Sequence, residues 1–106
     1  MDAFPKFIIE TIDQEGDCLI IAKCTYHKQL VGDATKVKGG GWWDFDFENS
    51  IFILYGDSND FGRAKIEDIM NCIQRKKVFR NKSLLRNITD DFKFKYRNIF
   101  GEIIDL

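Results

Sequence analysis

The sequence predicts a single-domain α/β protein: a mixed β-sheet that includes a β-hairpin, with helices packed on the sheet. Three stretches carry this prediction. Residues 18–25 are almost continuously apolar, as in a strand covered on both faces. Residues 43–47 alternate strictly between aromatic and acidic side chains, and the apolar residues 51–55 return after a polar turn. Ile66, Ile69, Met70 and Ile73 recur at the spacing of one helical face. The 106 residues suffice for one core, so residues 1–106 read as one domain.

The elements follow in chain order. Residues 7–12 form a first strand, and the polar residues 13–17 a turn. The buried strand 18–25 comes next. A short helix follows Tyr26 and His27, runs through Leu30 and Val31, and ends at Gly32 and the polar residues 33–35. The hairpin pairs residues 43–47 with 51–55 around a turn at 48–50. Gly56 stops the second strand, and residues 57–60 make a loop rich in helix-capping types. Residues 63–74 are the amphipathic helix. Residues 75–89 are basic and less regular, with a short helix at 83–86. Residues 92–97 alternate as a strand with one solvated face, and the apolar tail packs back on the domain.

Composition narrows the class. Ten Phe, two Trp and three Tyr supply apolar area enough to exclude a disordered chain. The first six residues lack the basic and apolar segments of a signal peptide, and no apolar run is long enough to span a bilayer. Cys18, Cys24 and Cys72 are odd in number and without paired spacing, so reduced thiols in a cytoplasmic protein are expected, with no metal site. The net charge of −1 hides an asymmetry: residues 1–74 balance to −6, residues 75–97 to +7 and residues 98–106 to −2. Arg75, Lys76, Lys77, Arg80 and Lys82, with Phe79 among them, form a candidate surface for a protein or nucleic-acid partner. A solvated basic face is the plainer interpretation.

Three places could carry chemistry. His27 is the only histidine, at the boundary between a buried strand and a helix, where free backbone N–H groups favour an anion. Gly39, Gly40 and Gly41 permit a close backbone approach or a bulge. Ser58 either binds a phosphate or caps the next helix. No nucleotide-binding glycine motif is present.

Taken in order, Lys6 before the first strand, Tyr26-His27, Gly39-Gly40-Gly41 and Tyr55-Gly56-x-Ser58-x-x-Phe61-Gly62 resemble the Janus family of phosphohistidine phosphatases. The resemblance covers roughly residues 6–73. It implies hydrolysis of a phosphoramidate P–N bond without a cofactor. His27 would be general base or act through a transient covalent step, with Lys6, Ser58 and the Lys28 amide holding the phosphoryl group of a phosphorylated protein or small phosphate ligand. On this basis His27 is expected to be partly accessible, with Lys6, Lys28 and Ser58 around one cleft. The chain departs from the family at Trp42, where a basic residue is usual, and at Asp57 and Asp60, which flank Ser58. The helix after His27 is short and the tail long. Gly-Gly-Gly-Trp-Trp also resembles uncharacterised bacterial and phage proteins, which would place the chain in a host cytoplasm if phage-encoded. The alternative is therefore a non-catalytic binding module of the same fold, contacting a protein or nucleic acid through residues 75–86. Either a monomer or a homodimer joined through Trp42 and the apolar tail fits this sequence.

Overall fold

Alternating apolar residues dictate which way each strand faces. In the computed structural model, which describes residues 3–80 and 91–106, strand β1 (Phe4–Ile12) is antiparallel to β2 (Gly16–Cys24). Phe7 and Ile9 of β1 join Leu19 and Ile21 of β2 on one face of the sheet. Ile8 joins Cys18 and Ile20 on the other. Residues 18–21 are all buried, as their unbroken apolar run requires.

β3 (Val37–Asp46) lies against the free side of β1 and forms the predicted hairpin with β4 (Ile51–Tyr55). The hairpin's first strand extends back through the three glycines and stops at Asp46. There the Asp46 carboxylate accepts from the backbone N–H of Glu48 and Asn49 and forms the turn. Phe47 is left outside the strand and exposed.

Helix α1 (Ile66–Gln74) buries Ile69 and Cys72 against the first face. It starts three residues later than the spacing predicts. Arg63 and Ala64 stay extended because they bridge Gly40 of β3, with the Ala64 N–H donating to the Gly40 carbonyl at 3.4 Å. β5 (Val78–Phe79) adds a parallel edge to β2, and β6 (Lys93–Arg97) a parallel neighbour to β4. The tail forms β7 (Ile103–Asp105), antiparallel to β6. Among the described residues the strand order is β5-β2-β1-β3-β4-β6-β7, a mixed sheet.

The domain is more sheet-dominated than an α/β protein covered by helices on both faces. Only α1 is an α-helix among the described residues; the second face is covered by 3₁₀ helices at His27–Leu30 and Ala34–Lys36 and by the chain around them. The helix expected after His27 is thus a single 3₁₀ turn, since residues 32–33 are held elsewhere: their N–H groups donate to the buried Glu10 carboxylate. Among the described residues no helix is long and apolar enough to cross a membrane. The helix expected at 83–86 lies outside the described residues.

Candidate functional site

The second face of the sheet carries the polar residues of interest. Lys6 projects there from β1, two residues before Ile8, and sits opposite Trp42 of β3 in the strand register. Its ammonium lies 3.7 Å from the centre of the Trp42 ring and 5.8 Å from that of Phe4. Lys6 is only 7% exposed, and no described acceptor bonds its Nζ.

His27 opens the 3₁₀ turn just past the end of β2. The Gln29 side chain fixes that turn, its Oε1 accepting from the N–H groups of Thr25 at 2.7 Å and Tyr26 at 2.9 Å. The imidazole reaches across to β3, with Nε2 2.7 Å from the Gly41 carbonyl oxygen. A carbonyl only accepts, so Nε2 carries the proton and the neutral ring keeps its lone pair on Nδ1. No described group bonds Nδ1. Among the described residues no sealed-off side-chain nitrogen or oxygen lacks a partner, so Nδ1 opens to solvent. Burial is the main influence that lowers the His27 pKa below its ordinary value, the Lys6 charge adding to it; the Gly41 bond opposes it. The imidazole is therefore neutral at neutral pH.

Ser58 is brought to the same place by a tight turn. Its N–H and carbonyl both pair with Gly62, and its Oγ accepts from the N–H groups of Asp60 and Phe61, each at 3.2 Å. Ser58 therefore caps its own turn, not α1, and its hydroxyl proton stays available to donate. Gly40 explains why His27 and Ser58 meet. A Cβ there would lie 3.1 Å from His27 Cδ2, 3.3 Å from Ser58 Cβ and 2.6 Å from the Phe7 carbonyl oxygen. Only a bare backbone lets the three approach.

The structure thus gathers Lys6, His27 and Ser58 around Gly40, Gly41 and Trp42, with one correction. His27 is buried, 4% exposed, where partial accessibility is expected from sequence. The cause is the long-range bond to Gly41. No described contact joins Lys28, the second residue of the 3₁₀ turn, to this group. Its side chain is exposed and rests 5.4 Å from the ring of Tyr26. Asp57 and Asp60 are exposed, and theirs are the weakest influences on His27. The sequence alone does not show that the Gly41 carbonyl meets His27 or that the Trp42 indole meets Lys6. The alternation Lys6, Ile8, Glu10 was the available signal for which face they share.

The basic segment is partly engaged within the chain. The Arg75 guanidinium donates to the carbonyls of Glu15 at 2.7 Å and Asp17 at 3.5 Å, and Lys77 pairs with the Glu15 carboxylate. Lys76 also has a partner. Arg80 lines a groove of about 800 Å³ on the opposite face, with Ile21, Trp43, Phe45, Phe52 and Phe92. Lys82 lies outside the described residues. Compared with known protein families, curated proteins and solved structures, the chain matches none.

Proposed function

We propose that the Lys6–His27–Ser58 site binds a phosphoryl group and hydrolyses a phosphoramidate P–N bond, with His27 as general base. The observation that carries this reading is an ammonium at the end of a buried lysine stem, open to solvent and with no described anionic partner, beside a neutral imidazole whose Nε2 is tied to Gly41. An ammonium that no described acceptor bonds keeps its N–H donors free for an anion.

In this mechanism Nδ1 takes a proton from a water whose oxygen attacks phosphorus. The P–N bond breaks, and its electron pair leaves with the amine, which takes up the proton that Nδ1 received, so the neutral imidazole is restored. The Lys6 ammonium, the Ser58 hydroxyl and the Lys28 amide balance charge on the phosphoryl oxygens. The Nε2–H bond to Gly41 holds the ring throughout. The substrate is a phosphorylated protein side chain or a small phosphoramidate.

The alternative, a non-catalytic module that binds through the basic segment, has less support, because Arg75 and Lys77 are already bonded to the β1–β2 turn. Phosphate release from phosphohistidine by wild type and by His27→Gln is the test. Gln retains a donor for the Gly41 carbonyl and lacks the basic nitrogen. Release by wild type and its loss in the variant is expected; equal release from both, or none from wild type, overturns the reading.

A further inference from the structure

We infer that Trp42 is a positioning residue for the anion site: its indole face fixes the Lys6 ammonium beside His27 without neutralising it. This rests on the phosphoryl-binding reading above and assigns a role to a residue outside its catalytic set.

Strand register makes the pair. Lys6 and Trp42 are direct partners in the β1–β3 ladder, and the ladder's irregularity falls at Ile9 and Glu10, away from them. The indole and the His27 ring are T-shaped at a centroid distance of 6.4 Å, and the indole and the Phe4 ring at 5.9 Å. Gly56 leaves room for the indole: a Cβ there would come within 3.0 Å of Trp42 Cδ1. Trp42 is thus held by its neighbours in the place where it faces Nζ at 3.7 Å.

The chemistry of the partner matters. A carboxylate in this place would form an ion pair and cancel the charge an anion needs. A second cation would push the ammonium away. An aromatic face attracts the ammonium through its quadrupole, offers no formal charge and leaves N–H donors free on the open side. Lysine is otherwise a flexible point charge on a four-carbon stem. The Lys6 charge is already felt at His27, which places the two within electrostatic reach.

The experiment measures two quantities in Trp42→Phe, Trp42→Leu, Lys6→Met and the Lys6→Met/Trp42→Leu double variant. These are the affinity for inorganic phosphate, by calorimetry, and the His27 imidazole pKa, by NMR. Trp42→Leu is expected to weaken phosphate binding about tenfold, between the sizes of an exposed and a desolvated cation–π contact. Trp42→Phe should recover most of it, and Trp42→Leu should have no further effect once Lys6 is Met. The His27 pKa should rise in Trp42→Leu and in Lys6→Met, because the nearby positive charge is withdrawn in both. An unchanged His27 pKa in Trp42→Leu overturns the inference, even where wild type binds phosphate. So does a loss of affinity that is as large without Lys6. A wild type without phosphate affinity instead sinks the phosphoryl-binding reading, while the pKa comparison still decides the role of Trp42.

Discussion

His27 is both the chemical centre of the proposed site and a pH-dependent part of the fold. Its pKa is lowered in the folded chain, chiefly by burial. The unfolded chain therefore binds the proton more tightly, and stability from the neutral ring is complete above the ordinary value of about 6.5 and declines as pH falls below it. Urea midpoints of wild type should drop between pH 7.5 and 5.5, and those of His27→Gln should drop less; parallel curves would contradict this account. Lys6 gives the complementary case. Its stem is buried and its ammonium, open to solvent, has no described counter-charge, so Lys6→Met keeps the length of the stem and removes only the charge. Stability of Lys6→Met should stay within about 1 kcal/mol of wild type. Its activity on a phosphoramidate should fall about 10²-fold, as when a transition-state donor is removed. A variant that is active yet unstable would reverse both assignments.

Within elements, the glycines of β3 are constrained by what surrounds them. Gly40 faces backbone, the Phe7 carbonyl, which cannot step aside without breaking the β1–β3 ladder. Gly62 has open space and a φ of +76°, so an alanine there meets only the left-handed backbone cost. Gly62→Ala should therefore cost about 1–2 kcal/mol, and Gly40→Ala about 3 kcal/mol or more, with phosphate affinity lost as well. Thermal denaturation of the two variants gives the order directly. These local features also mark what was legible in the sequence. The hairpin and the 66–74 helix stood out, because alternation and the 3.6-residue period are written in neighbouring residues. The start of α1 did not, because Arg63 and Ala64 answer to Gly40, more than twenty residues earlier. Nor did the 3₁₀ form of the His27 turn, which depends on Glu10 holding the N–H groups of Gly32 and Asp33. The grouping of Lys6, His27 and Ser58 was to be expected only through the family resemblance; the burial of His27 was not, since its cause is a carbonyl fourteen residues away.

On the scale of the whole molecule, the charge asymmetry is in part folded inward: Arg75 and Lys77 meet the β1–β2 turn some sixty residues earlier. The same corner ties α1 to the sheet. Cys72 of α1 lies with its thiol 3.4 Å from the Asp17 carbonyl, and Cys18 of β2 has its thiol 3.5 Å from the Gly16 carbonyl. Both are fully buried, while Cys24 is half-buried at the end of β2. Burial pushes the Cys72 thiol up to about 12 and raises that of Cys18 as well, so neither supplies much thiolate in the folded chain. Since α1 packs on β2 and shares its core with β1 and β4, release of Cys72 requires exposing Leu19, Ile21 and Ile69 together. Helix and sheet should therefore open as one cooperative unit. A thiol reagent such as a maleimide should label Cys24 first in native buffer. Cys18 and Cys72 should then react together, with the same dependence on urea as the loss of circular dichroism. Labelling of Cys72 ahead of Cys18, at urea concentrations below the main transition, would mean that α1 detaches alone and that the corner at Asp17 does not couple it to the sheet.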